Sequence, residues 1–157
     1  MIRALRPWLA GAVALVAAAP AVAGDGPAAL LEEVYAAYAA TCEGPEFIGD
    51  PAAARRLFSA DTVALFARAW RSEEVTPPGF DVFLAAQDCQ ITAPPRMTVE
   101  DVADGRARAS VAFTNLGEPT VVVHDLIREA AGWRIHDIHW TLPEPLSLRR
   151  ALSEALP

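Results

Sequence analysis

All three histidines of the 157-residue chain lie in one short stretch, HDLIREAAGWRIHDIHW, at residues 124–140. They are His124, His136 and His139, and two aspartates, Asp125 and Asp137, directly follow the first two. Imidazole and carboxylate groups held together can transfer a proton near neutral pH or bind a metal ion. The same residues also fit the polar face of a β-hairpin, where such side chains only pair across strands.

The register of the predicted hairpin decides which of these side chains meet. A loop of two or four residues, AA or EAAG, places His124 opposite Asp137 and puts both on one face with His139. Asp125 and His136 then lie on the opposite face. A loop of three residues places His124 opposite His136 instead, and the sequence leaves both registers open.

The apolar residues of the second hairpin strand predict a β-bulge. Trp133 and Ile135 have one parity along the strand, whereas Ile138 and Trp140 have the other. One extra residue near 136–137 accounts for this change of phase, and bulges occur both beside functional sites and at sheet rims. Trp133 and Ile135 are predicted to be core residues under the helices.

Two kinds of chemistry are conceivable for this stretch. For proton transfer, Asp125 or Asp137 is the candidate base, and His124 or His136 orients the substrate. For metal binding, two histidines and one aspartate are enough ligands, but their spacing matches no metal motif. We therefore predict no metal site and no cofactor. The sequence also contains no nucleophile elbow, phosphate-binding loop or dinucleotide fingerprint.

The first 23 residues have the composition of an export signal. Arg3 and Arg6 give a basic start, an apolar run too short for a comfortable bilayer span follows, and Ala21 and Ala23 precede a cut at Gly24. This order predicts a signal peptide over 1–23, a single mature domain over 24–157 and a periplasmic location. No stable membrane insertion is expected after cleavage.

The mature chain is strongly acidic. It keeps 11 arginines and no lysine against 20 carboxylates, a net charge of −9. Such a surface repels phosphate backbones, so no nucleic-acid partner is predicted. Two cysteines remain, Cys42 and Cys89, and an isolated pair in an exported protein predicts one disulfide, with two buried thiols as the alternative.

Hydrophobic periodicity divides the mature chain into a helical half and a strand half. Helical spacing covers 27–41, with Cys42 on the inward stripe, and shorter helices are predicted at 52–58 and from Ser59 onward. Strand patterns follow at 106–115, 120–129 and 133–142, with an earlier strand within 88–102 and a short C-terminal helix capped by Ser147. This order predicts an α+β fold, with N-terminal helices packed on a curved antiparallel β-sheet.

Three short motifs carry a resemblance to known proteins: FDVFLAAQD at 80–88, WRIHDI at 133–138 and SLRRAL at 147–152. Together with the element order, they resemble a family of small exported bacterial proteins of unknown function within the nuclear transport factor 2-like superfamily. The resemblance implies a cone-shaped fold and an exported protein. It transfers no catalytic residue, because the family carries no established reaction and the superfamily includes both enzymes and binding or immunity proteins.

Asp81, Gln87 and Asp88 carry the match within the first of these motifs. Asp81 can cap a helical turn, and Gln87 and Asp88 can close that turn into the sheet. The alternative is a ligand-binding polar cluster at the mouth of the cone. We predict a periplasmic, non-catalytic module that binds an unknown small molecule or protein. The alternative is a small enzyme that uses an Asp/His pair for proton transfer.

Overall fold

The structure is a computed structural model and describes residues 26–71, 77–141 and 144–154. The predicted export signal and its cleavage site lie outside these residues. The described elements follow the chain in this order: α1 (Pro27–Thr41), α2 (Pro51–Leu57), α3 (Ala60–Ala69), β1 (Arg96–Val102), β2 (Arg106–Asn115), β3 (Glu118–Glu129), β4 (Gly132–Thr141), β5 (Pro145–Ser147) and α4 (Leu148–Glu154).

The helices begin at residues that satisfy their free amides. Pro27 stands in the first turn of α1, where its missing amide hydrogen is not needed. The carboxylate of Asp50 accepts two amide hydrogen bonds at the start of α2. The hydroxyl of Ser59 accepts one at the start of α3. Among the described residues, no helix combines the length and hydropathy needed to cross a bilayer.

The five strands form one antiparallel meander in the order β1-β2-β3-β4-β5. On β2 the alternation expected of a strand is observed, since Ala107, Ala109, Val111 and Phe113 are buried, whereas Arg106 and Arg108 are exposed. The predicted α+β class is therefore confirmed: N-terminal helices pack on one face of a curved antiparallel sheet, and a short C-terminal helix follows. The three-residue strand β5 was not predicted.

Aromatic rings fill the space between the helices and the sheet. Phe47, Phe58, Phe66 and Phe83 are each no more than 6% exposed. Their ring centroids lie between 5.0 and 6.3 Å apart in neighbouring pairs, mostly tilted or edge to face. Tyr35 of α1 joins the same group at 6.3 Å from Phe83. Large buried rings dominate core energetics, so these residues hold the helical layer on the sheet.

The hairpin of β3 and β4 has a two-residue loop and the predicted bulge. Leu126 pairs with Ile135, as a two-residue loop requires. The register then shifts, and Asp125 pairs with Asp137, so His136 is the extra residue on β4. A bulge of this kind increases local twist and re-aims the side chains that follow it.

Of the two residues of β4 that were predicted to lie in the core, Trp133 differs from the prediction. Ile135 is fully buried as expected, but Trp133 is only partly buried beside the hairpin loop. Trp140, beyond the bulge, is the deeply buried one at 2% exposed. Trp133 falls near the end of the sheet, where the helices cover it less completely.

The predicted disulfide is confirmed, because Cys42 and Cys89, 47 positions apart in sequence, are bonded with their Cα atoms 5.7 Å apart. It joins the end of α1 to the segment that leads into the sheet. The predicted inward orientation of Cys42 is wrong. The helix ends at this residue, which adopts a left-handed conformation with φ of 57°, and it is exposed.

Candidate functional site

The structure places the three histidines in three environments. His124 faces inward under the helices, His136 is the bulge residue, and His139 lies on the open outer face of the sheet. The predicted grouping of His124, Asp137 and His139 on one face is wrong. The bulge moves Asp137 opposite Asp125, so those two aspartates and His139 share the outer face.

His124 is a core residue. Its ring is 0% exposed, stacks on Phe83 with a centroid distance of 6.2 Å and meets Tyr35 edge-on at 5.7 Å. The Tyr35 hydroxyl donates to the carbonyl of Phe83 at 2.9 Å, and Nε2 of His124 lies 3.3 Å from the same hydroxyl oxygen. The imidazole proton is therefore best placed on Nε2. Nδ1 has no hydrogen-bond partner within the described part of the chain.

Burial lowers the pKa of His124 from 6.5 to about 3, because the protonated ring would lose its hydration. The folded chain thus keeps this ring neutral at a pH where the unfolded chain protonates it. The contribution of this residue to the unfolding free energy is therefore fully present above about pH 6.5. It is lost as the pH falls from there towards 3, because only the unfolded chain gains a proton in that range.

We expect His124→Phe to flatten this acid-side loss of stability. If the ring has the ordinary histidine pKa in the unfolded chain and stays neutral in the folded chain, His124 accounts for a loss of about 2 kcal/mol of unfolding free energy between pH 7 and pH 5. Urea unfolding at the two pH values measures it. Val122→Ala, a non-titrating change on the same face of β3, is the matched control. Relative to wild type, it should lower the unfolding free energy by the same amount at pH 7 and at pH 5. An unchanged pH dependence in His124→Phe would contradict the buried neutral histidine.

The bulge residue His136 belongs to a polar network between β4 and two helices. Its Nδ1 lies 3.0 Å from the Ser59 hydroxyl, and its carbonyl accepts from the Thr62 hydroxyl at 2.6 Å. The guanidinium of Arg149 donates to Thr62 at 3.0 Å, and the backbone amide of Arg149 donates to the carboxylate of Asp137 at 2.9 Å. Partial burial and the nearby Arg149 charge lower the pKa of His136. These contacts tie the starts of α3 and α4 to the bulge.

On the outer face, Asp125 is the centre of a charged row across three strands. Arg108 of β2 binds its carboxylate with two nitrogens, at 2.7 and 3.0 Å. Nε2 of His139 lies 2.7 Å from Oδ2 of Asp125, an oxygen that also accepts from Arg108, and 3.9 Å from the carboxylate of Asp137. The histidine that contacts a candidate aspartate here is therefore His139, and not His124 or His136, the histidines predicted to orient a substrate.

The electrostatics of this row do not favour proton abstraction. Partial burial raises the pKa of Asp125, but the hydrogen bonds from Arg108 and His139 outweigh it and lower the pKa below its usual value. A general base works best with a pKa near the operating pH, so this carboxylate is a weaker base than an ordinary one. The adjacent groove of about 320 Å³ is lined by Asp125 and His136 together with charged neighbours that include Glu100 and Arg106. His139 is not part of that lining.

The residues of the first motif have mainly structural contacts. The carboxylate of Asp81 accepts the amides of two following residues, at 2.9 and 3.3 Å, and the Tyr38 hydroxyl at 2.6 Å. These bonds support the capping interpretation for Asp81. Gln87 is exposed and donates to the carbonyl of Gly79 at 3.2 Å, and Asp88 is exposed. The three side chains share no contact with one another.

The structure also presents a surface that the sequence did not single out, the ridge formed by residues 44–48. Phe47 is buried at 6% exposed, whereas its neighbour Ile48 is 69% exposed. Gly44 lies so close to the ring of Tyr38 that any Cβ there would overlap the tyrosine hydroxyl. In the sequence, the glycine and proline of this stretch indicate only that the preceding helix has ended. The adjacent apolar residues Phe47 and Ile48 were the available signal, but the sequence alone does not show which of the two is exposed.

Two grooves flank the ridge. One, of about 660 Å³, lies between the ridge, α1 and α2 and includes Val34, Leu57 and Glu33 in its lining. The other, of about 340 Å³, lies between the ridge and the turn at 80–82. Glu46, Phe47 and Ile48 line both grooves. The surface therefore combines apolar walls with carboxylates. Among the described residues, no three His, Cys, Asp or Glu side chains are arranged to hold a metal ion.

Comparison with known proteins supports the fold. No protein-family profile and no curated protein matches the sequence. A solved structure that resembles the chain is the type VI native effector–immunity complex Tae3–Tai3 from Ralstonia pickettii. The matched chain is 22% identical, with a TM-score of 0.56, over 77% of this chain and 99% of that one. At this identity the likeness establishes a shared fold.

Proposed function

We propose that the chain is an exported, non-catalytic binding module of the immunity type, whose partner is a protein effector. The likeness to a chain of an effector–immunity complex supports this proposal, since that chain's whole length is matched. The observation that carries it is the environment of the candidate catalytic groups. His124 is sealed among aromatic rings, and Asp125 is engaged by Arg108 and His139 on an open face.

A proton-transfer enzyme of this fold needs a carboxylate and a histidine facing a cavity together. Here the ring that faces inward is His124, and its neighbours are aromatic. Asp125 and His136 line one open groove on the outer side, but each is already hydrogen-bonded, Asp125 to Arg108 and His139, and His136 to Ser59. The contacts of these aspartate and histidine side chains therefore hold the sheet and the helices together. A partner would therefore bind to the surface of the protein. The acidic composition of the mature chain favours a partner with basic groups.

We further propose the periplasm as the site of action. The Cys42–Cys89 disulfide supports export, because disulfides persist in oxidising compartments. Membership of the nuclear transport factor 2-like superfamily, the signal peptide over 1–23 and the single domain over 24–157 stay predictions of the sequence.

Partner capture followed by reconstitution tests the proposed function. The mature chain, immobilised, is exposed to extracts of the bacterium that encodes it, and retained proteins are identified by mass spectrometry. The identified protein is then produced separately and titrated by calorimetry. We expect a saturable complex with submicromolar Kd, which corresponds to more than about 8 kcal/mol of binding free energy. If no purified candidate binds, the binding-module proposal is wrong.

A further inference from the structure

The ridge at 44–48 is fixed to the fold on both sides and in its middle. The Cys42–Cys89 disulfide holds the chain just before it. The ring of Phe47 lies 5.0 Å from Phe58 and 5.4 Å from Phe66 by centroid. Just after it, the Asp50 carboxylate accepts two amides at the start of α2, at 2.8 and 3.0 Å. A surface held in this way loses little conformational entropy when a partner binds.

The apex of the ridge is apolar and open to solvent. Ile48 is 69% exposed, more than the other two large exposed apolar residues of the described chain, Leu116 at 51% and Val121 at 48%. A single exposed isoleucine needs no explanation. Ile48 differs because it stands between two grooves with walls that include Val34, Leu57, Phe80 and Val82. A partner that covers the ridge would therefore bury Ile48 and close over grooves whose walls are apolar.

The rim of the ridge carries a net negative charge. Glu33 and Glu46 line the grooves, and Glu43 is exposed just before the ridge. Within the described part of the chain none of these three side chains makes an ion pair or a hydrogen bond. Arg56 also lines the larger groove, and its charge acts on Asp50, which serves as a helix cap. The free carboxylates thus remain available to cations from outside the chain.

We propose that the ridge at 44–48 is the surface that binds the protein partner. The partner it fits has an apolar socket for Ile48, ringed by lysine or arginine side chains that reach Glu33, Glu43 and Glu46. This assignment rests on the proposed function and names the surface that performs it. The apolar apex supplies the buried anchor typical of binding hot spots, and the acidic rim steers association.

The test uses the purified partner identified by capture. Ile48→Asp should weaken binding by about 30-fold or more, as loss of a hot-spot side chain does. The control Leu116→Asp makes the same chemical change at an exposed position on the β2–β3 turn and should leave Kd within about 2-fold. Glu46→Arg should mainly slow association and reduce its dependence on salt concentration. Thermal melting of each variant checks that the fold is kept, and Ile48→Ala serves if Ile48→Asp melts early.

The outcomes separate this assignment from the proposed function. If the partner binds wild type, Ile48→Asp and Leu116→Asp equally, the ridge is not the contact surface, although the protein remains a binding module. Weakening by Leu116→Asp alone also overturns the ridge and moves the contact to the turn of the sheet. If wild type binds no purified candidate, both proposals fall together.

Discussion

Replacing Trp140 by alanine is expected to cost about 3–5 kcal/mol of unfolding free energy, the range for truncation of a buried aromatic side chain. Trp140 is 2% exposed and packs edge-on against Phe80 at a centroid distance of 5.0 Å. Its indole nitrogen donates to the carbonyl of Val82 at 2.8 Å. The substitution therefore opens a cavity and leaves a buried carbonyl without its donor.

Trp133→Ala is the matched control for this experiment. It removes the same side chain from the same strand, but Trp133 is only partly buried, so its loss should cost less than half as much. Urea unfolding followed by circular dichroism measures both, with the slope against urea unchanged if only stability is altered. Equal costs for the two variants would contradict the positions of these tryptophans relative to the bulge.

Removing the disulfide is the second change with a large expected effect. The two cysteines are 47 positions apart, and for a loop of that length the chain-entropy account gives about 4 kcal/mol of stabilisation. The double variant Cys42→Ser, Cys89→Ser should therefore lose a few kcal/mol of unfolding free energy. The same loss should appear in wild type when a reductant is added, and the double variant should not respond to reductant.

The disulfide also links stability to the proposed binding surface. Cys42 stands two residues before the ridge at 44–48, so loss of the bond should loosen the ridge as well as the fold. We expect hydrogen exchange to increase most around the ridge in the double variant. A uniform increase across the sheet and the ridge would show that the bond stabilises the molecule without fixing this surface.

Local pattern was sufficient to predict most of the elements. The alternation on β2 and the helical spacing of α1 gave the same bounds as the structure, 106–115 and 27–41. The change of phase between Trp133 and Ile138 gave the bulge, because side chains on a strand must alternate between its two faces. β5 was missed because three residues next to prolines carry too little periodicity to detect.

The arrangement of the candidate site depended on features that local pattern does not contain. A single extra residue, His136, moved Asp137 from the side of His124 to that of Asp125. The orientation of Cys42 depended on its left-handed backbone at the end of α1. The ridge depended on which of two adjacent apolar residues is buried by the aromatic core. These features depend on tertiary packing. In a sheet, a shift of one residue in the register moves every following side chain to the opposite face.

A stoichiometric titration tests the central claim, binding without catalysis, most directly. The activity of the captured partner is measured, by the growth arrest it causes or by its own reaction, against increasing amounts of this chain. We expect full neutralisation at an equimolar end point, and the same end point for a variant with Asp125→Asn and His139→Gln. Neutralisation at strongly substoichiometric amounts, lost in that variant, would show turnover and contradict a binding module.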